Sequence, residues 1–588
     1  LAGSLRRAGK AGEKDDMRLI LQYLRRHIGI FLLSTLFLTM EAMADLLQPT
    51  LMSFIVDKGV ANSDISQILH YGMIMLLIAL VGAVSAVMRS RFASRTSQTI
   101  GKEMRQDIYH NVQQLSLENI DRLQPASIIT RITNDVSQIQ DLINSIMRMM
   151  VKAPITCVGA IVLILIQTPR QAPVMIGIIA VVAFLIFGNM RIGYPRFGVV
   201  QKKLDKLNGV TREFLSAVRV VKAFNAEDEE TAKFDRASTE LANANTAALR
   251  IVAAFSPLIN LTVNFGIILL LWISKNQNGS EIGKLMASVN YMTQVLFAVT
   301  MISNVINVAV RAMASSGRIQ EVLNEKPAQQ YPEHPLRPDI KGEITFENVS
   351  FAYAGAGKET LKGINFKISP GETVGIIGPT GSGKTTLVNL VPRLYDVSEG
   401  RILIDGCDVT QIDETLLRSS VAVAAQKALL FTGSIRDNLR WGREDAGDEE
   451  IQAAARTACA DEFILKTDKG YDTWLEQGGV NLSGGQKQRL SLARALVRNP
   501  RILILDDCTS ALDAQTEADV LNRMREHFKG LTVLLISQRI STVMRADKIL
   551  CLENGSVQGF GTHEQLMENS ELYRAVFESQ IGGRRNGR

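Results

Sequence analysis

Nine consecutive residues, Gly378-Pro379-Thr380-Gly381-Ser382-Gly383-Lys384-Thr385-Thr386, have the types and spacing to hold a polyphosphate. The run follows apolar Val374–Ile377 and precedes apolar Leu387–Leu390, so it falls at a strand-to-helix turn. Backbone N–H groups of such a turn, and the N-terminus of its helix, point at an anion; Lys384 reaches the outer phosphates and the Thr385 hydroxyl suits Mg²⁺. Further along, Leu482 is followed by Ser483-Gly484-Gly485-Gln486 and an Ala/Leu-rich helical stretch, which makes a second anion-facing helix N-terminus. The two lie too far apart in sequence and role to form one site. A third group closes the set: an apolar run ends on Asp506-Asp507, and a later one ends on Ser537-Gln538-Arg539.

In this order the runs closely resemble the ATP-binding cassette, or ABC, domain. The resemblance implies ATP and Mg²⁺ as cofactors, with Thr385, Gln426 and Asp506 serving the metal. It makes Tyr353, two residues after Phe351, the aromatic that stacks on adenine. Gln426 becomes the contact between metal and membrane domain, and Ser510-Ala-Leu-Asp513 the loop that crosses between sites. A single Tyr or Gln is ordinary surface or core; their order along the chain is what singles them out. In the family the Ser483–Gln486 signature of one chain closes over the phosphate loop of another.

Two positions depart from the family pattern. The catalytic Glu that follows the metal-binding Asp is here Asp507, and the switch His of the Ser-His-Arg context is Gln538. The expectation is a degenerate site, one that binds ATP and hydrolyses it slowly or not at all.

The elements that must position these residues divide the chain in two. Residues 28 to 311 hold six long apolar stretches, Ile28–Ile55, Tyr71–Met88, Ile146–Ile166, Val174–Phe187, Ile251–Ile273 and Leu285–Val310. Most are long enough to cross ~30 Å of hydrocarbon. Positive charge is concentrated between the second and third (Arg89, Arg91, Arg95, Lys102, Arg105, Arg122, Arg131) and from Arg191 to Arg250, whereas the opposite loops offer Lys58, Arg170, Lys275 and Lys284. By the positive-inside rule both termini and the cassette are cytoplasmic, in a multi-pass protein of the plasma membrane. The net charge of +6 then reflects membrane topology and anionic headgroups rather than nucleic acid.

The expected fold is an α-helical membrane domain of six transmembrane helices with long cytoplasmic extensions, fused to an α/β phosphate-loop nucleotide-binding domain. Its expected boundaries are a disordered head or cloning remnant at 1–16, a membrane domain at 17–325, a Pro-rich linker at 326–340, the cassette at 341–580 and a flexible tail at 581–588. The arrangement is similar to that of an ABC exporter half-transporter. That resemblance implies coupling helices around Leu115–Asp135 and Arg212–Asn225 that dock on cassettes. Cysteines at 157, 407, 459, 508 and 551 have no metal-ligand or paired spacing, and reduced thiols are expected.

One chain supplies six spans and half of each ATP site, so it must dimerise. In a homodimer both sites would carry Asp507 and Gln538, and loss of general-base catalysis costs about 10²–10⁴-fold in rate. The resemblance is therefore to bacterial heterodimeric multidrug exporters. The partner's Glu and His would face this chain's signature, and the cargo would be a small hydrophobic or amphipathic compound in the bilayer. A nucleotide-gated membrane regulator and a homodimeric lipid flippase with slow ATPase are the alternatives; six spans exclude a soluble cassette. Glu41 and Asp45, spaced i, i+4 in the first span, are the candidate substrate contacts, because acids inside a membrane segment mark functional sites.

Overall fold

A computed structural model describes residues 17–170, 172–274 and 282–581. The expectations for residues 1–16 and 582–588, and for Lys275, lie outside them. By packing, the chain forms two units: residues 1–113 with 126–324, and residues 114–125 with 325–588.

Among the described residues, six helices are apolar and long enough to cross a membrane, starting at Ile28, Ile65, Pro125, Ala172, Glu227 and Ile282. Each of the six apolar stretches lies inside one of them. The second, Ile65–Gln114, is 50 residues long and the fourth, Ala172–Phe224, is 53. At 1.5 Å per residue, about 75 Å of helix far exceeds ~30 Å of hydrocarbon, so the ends project well beyond it. The second helix exposes Leu69, Met73, Leu76, Leu77 and Leu80, the composition of a lipid-facing surface. The fourth helix pairs with the fifth, Glu227–Ser274, and their polar ends are joined by Lys203 and Lys206 on Glu240.

Where the first helix, Ile28–Phe54, meets the sixth, Ile282–Asn324, the sequence dictates the contact. Pro49 has no N–H to give the carbonyl four residues back, which leaves Asp45 O without its helical partner. Gln294 Nε2 donates to that oxygen at 3.1 Å, and Tyr291 OH donates to Leu46 O at 3.0 Å. Asp57 then caps the sixth helix, accepting from Gly283 N at 2.6 Å and Lys284 N at 3.2 Å. The third helix widens into π-helical turns at Arg131–Asp135 and Ile146–Met150.

The second unit is the cassette. Strands β1 (Ile344–Phe351), β2 (Leu361–Ile368), β4 (Glu399–Ile404) and β5 (Cys407–Asp408) form an antiparallel sheet in the order β2-β1-β4-β5. A six-stranded sheet runs β12-β11-β3-β10-β9-β6, comprising β3 (Thr373–Ile377), β6 (Val421–Ala424), β9 (Ile502–Asp506), β10 (Thr532–Ile536), β11 (Lys548–Glu553) and β12 (Ser556–Gly561). The short strands β7 (Gly433–Ser434) and β8 (Trp474–Leu475) pair separately. All of the six-stranded sheet is parallel except β12 against β11. Its central strands β9 and β10 are buried throughout, which is why they read as unbroken apolar runs rather than alternating ones.

Candidate nucleotide site and membrane cavity

In an open parallel sheet, ligands bind outside the carboxyl ends of the strands. Here β3, β10, β9 and β6 are neighbours in that order, with Ile536 paired to Asp506 at their carboxyl ends. The phosphate loop follows β3, Gln538 follows β10, Asp506 and Asp507 end β9, and Gln426 follows β6. Four segments far apart in sequence thus meet in one cavity of about 260 Å³, lined by Thr380, Lys384, Gln426, Asp506, Asp507 and Gln538 among others.

The loop itself is built for an anion. Gly381 and Gly383 take φ of 82° and 98°, the left-handed region that disfavours a side chain, and a Cβ on Gly381 would meet open space. Gly383 leads directly into the helix Lys384–Leu390 without a side-chain cap, so its first N–H groups remain available. Lys384 Nζ donates to the carbonyls of Gly378 and Pro379 at 2.9 and 2.7 Å, and burial pulls its pKa below the usual lysine value. Ser382 Oγ is buried and has no hydrogen-bond partner. A polyphosphate fits all three features: donors for its oxygens, a partner for the orphaned hydroxyl, and charge for a desolvated ammonium.

Thr385 Oγ1 donates to Asp506 Oδ1 at 3.0 Å, which brings together two residues suited to hold a magnesium ion. Burial raises the carboxyl pKa values of Asp506 and Asp507 alike. Asp507 has a φ of 46°, a strained conformation that short Asp tolerates better than most residues. Its Oδ2 accepts from Gln426 Nε2 at 3.3 Å and Gln538 Nε2 at 3.5 Å. The expected base position and the expected switch position are therefore adjacent, joined amide to carboxylate.

Tyr353 stands beside this cavity, its hydroxyl 3.0 Å from Thr386 Oγ1. The signature is elsewhere. Ser483 caps the helix Gly484–Val497, accepting from Gln486 N at 3.3 Å while Gln486 Oε1 accepts from Ser483 N at 2.9 Å; Ser483 and Gly484 are exposed and Gly485 is half-buried. Asp513, also exposed, caps the helix Ala514–His527 by accepting from Thr516 N at 2.9 Å. That hydrogen bond holds its pKa below the usual aspartate value.

Three residues not singled out from the sequence tie these parts together. Gln488 accepts from Ala511 N at 2.9 Å and donates to Ser510 Oγ at 3.2 Å, fastening the signature helix to residues 510–513. Arg539 donates to Leu512 O at 3.2 Å and pairs with Glu517 at 3.0 Å. Gln580 donates to Gln538 O at 2.8 Å and accepts from Ile540 N at 2.9 Å. Only Arg539, next to Gln538, carried a sequence signal.

In the membrane unit Glu41 is buried and fully engaged. It accepts from Arg89 Nε at 2.5 Å and Lys152 Nζ at 2.6 Å, and Lys152 also pairs with Asp45 at 2.8 Å. Glu41 thus pairs with two bases and does not line the cavity, whereas Asp45 lines a cavity of about 500 Å³ with Met52, Met75, Lys152, Gln294 and Phe297. A basic residue within the apolar stretch around Lys152 was the available signal for this pairing.

Residues 31–299 match the family described as ABC transporter transmembrane region, and residues 361–510 match the ABC transporter family. The chain is 37% identical over 569 residues to an uncharacterized ABC transporter ATP-binding protein, YfiB, of Bacillus subtilis, covering 96% of this chain and 99% of that one. It is 30% identical to the ATP-dependent lipid A-core flippase of Chromobacterium violaceum, covering 96% of this chain and 97% of the relative. The solved structure of a bacterial Atm1-family ABC exporter with ATP bound superposes with a TM-score of 0.77 at 26% identity, covering 95% of this chain and 98% of that one.

Proposed function

The chain belongs to the ABC exporter family of half-transporters, in which a multi-pass helical membrane domain and an ATP-binding cassette share one polypeptide, and on that premise we propose that it is the degenerate-site subunit of a heterodimeric exporter. Members of the family act as dimers in a membrane and handle hydrophobic substrates. ABC domains as a class bind ATP with Mg²⁺; here Lys384, Thr385, Asp506 and the loop N–H groups would hold them, and Tyr353 would take the base.

One observation carries the reading: the carboxylate next to Asp506 belongs to Asp507, one methylene shorter than Glu, and two amides occupy it. A neutral Gln538 cannot take up or release a proton as an imidazole can. This chain's own phosphate loop then retains ATP, and its exposed Ser483–Gln486 signature completes a competent site on a partner that supplies Glu and His. The cassettes and both termini lie on the cytoplasmic side. The membrane cavity favours an amphipathic cargo, drug or lipid, because its lining mixes the charged Asp45 and Lys152 with the apolar Met52, Met75 and Phe297. The likeness to a protein named lipid A-core flippase supports a lipid-like cargo within that class, and with it a slow homodimeric flippase as the second reading.

Purifying the tagged chain from its native membrane and identifying what accompanies it by mass tests the proposal. A stoichiometric second half-transporter with Glu and His at the two departing positions supports it; copies of this chain alone contradict it.

A further inference from the structure

Gln426 stands at the phosphate end of the nucleotide cavity. The base end is tied to the segment that follows the second membrane helix in the chain. The short helix Leu117–Leu123 follows the second membrane helix in the chain, yet residues 114–125 pack with the cassette. Asn119 fixes it to the linker, donating to Lys326 O at 3.0 Å and accepting from Ala328 N at 2.9 Å. Asp121 reaches further in, accepting from Tyr395 OH at 2.6 Å.

Tyr395 is 9% exposed and sits in an aromatic cluster. Its ring meets Tyr353 edge-on at 5.3 Å and 85°, and Phe351 at 5.7 Å. Tyr353 in turn bonds Thr386, on the helix that opens at the phosphate loop. The turn carrying Tyr395 is rigid. Arg393, at φ 52°, donates to Asp396 at 2.7 Å and to Gln330 O at 2.9 Å. A base that stacks on Tyr353 joins the cluster that Tyr395 packs against, and closely packed side chains pass on small shifts of a neighbour.

We propose that Tyr395 is a positioning residue that couples occupancy of the base end of the nucleotide site to the membrane domain, through Tyr353 on one side and Asp121 on the other. Burial and the neighbouring Asp121 push the Tyr395 phenol well above its usual range, so at neutral pH it keeps its proton and donates. The inference rests on the reading that ATP places its base on Tyr353.

The test uses the intact complex in lipid nanodiscs with Tyr395→Phe, Asp121→Ala and the double variant. A fluorescent ATP analogue measures affinity, and nitroxides on Ser63→Cys and on the partner's outer loop report the population shifted by saturating ATP. Tyr395→Phe keeps the aromatic ring, so the nucleotide site is preserved and binding is expected within about twofold, while the shifted population falls by about fivefold. The double variant is no worse than the single ones if hydroxyl and carboxylate act as one contact. Asp121→Asn, which keeps an acceptor, recovers much of the shift. An unchanged population at saturation, or losses that multiply in the double variant, overturns this inference alone. An unsubstituted complex that binds no analogue overturns the nucleotide reading beneath it as well.

Discussion

On the proposed reading, Asp507 and Gln538 set how fast this cassette can hydrolyse ATP. An Asp side chain ends one methylene short of a Glu side chain, and general-base catalysis is worth about 10²–10⁴-fold, so on that reading a small retreat of the carboxylate is expected to slow hydrolysis by up to that factor. In the structure that carboxylate is held by Gln426 and Gln538 on one oxygen. Both departures act on the same step, and restoring one leaves the other. Asp507→Glu with Gln538→His is expected to raise hydrolysis at this chain's own site by about 10²-fold or more, with either single change giving much less. The comparison is a steady-state ATPase assay on the complex whose partner carries a disabled base. These residue types were legible in the sequence because each stands at a fixed offset from a strand end. Their amide-to-carboxylate contact was not, since it depends on β9 and β10 being neighbours in the sheet, which no local pattern records.

Elements place these residues, and the ties between elements carry coupling. The signature helix and residues 510–513 are fastened by Gln488, 7% exposed and bonded to both Ser510 and Ala511. Gln488→Ala removes its bonds to the Ala511 N–H and the Ser510 hydroxyl, at a cost of about 1 kcal/mol. It is expected to lower turnover at the partner's site while nucleotide binding at this chain's own loop stays unchanged, as a filter-binding assay alongside ATPase would read. In the membrane unit the cluster of Glu41, Arg89, Lys152 and Asp45 balances two acids with two bases. Arg89→Met leaves Glu41 and Asp45 sharing Lys152, an uncompensated buried charge expected to cost about 3 kcal/mol. Thermal unfolding in detergent measures that loss, and adding Glu41→Leu should recover part of it. The spans were readable from length and hydropathy, and the acids from their rarity in such segments. That Glu41 is spoken for and Asp45 borders a cavity followed only from the pairing of the first, second and third helices, a long-range arrangement. The Pro49 carbonyl gap is the converse case: the residue is visible in sequence, and its consequence, Gln294 on Asp45 O, is what the fold adds.

At the scale of the whole molecule the chain is built to be completed by another. Its signature, with Ser483 and Gly484 exposed, is capped by its own Ser483–Gln486 box and lines no part of its own phosphate cavity. Leu215, Val220 and Phe224 near the end of the fourth helix are exposed apolar residues, which on the proposed reading another cassette covers. The proposed asymmetric pair would have two unequal nucleotide sites: one, on this chain's loop, that retains ATP, and one, on the partner's loop, that this chain's signature makes competent. A single-turnover experiment on the native complex loaded with γ-labelled ATP asks this most directly. The account predicts that one of the two bound ATP molecules is hydrolysed and the other stays intact on this chain, identified by photo-crosslinking of the retained nucleotide. Hydrolysis of both at one rate would contradict it.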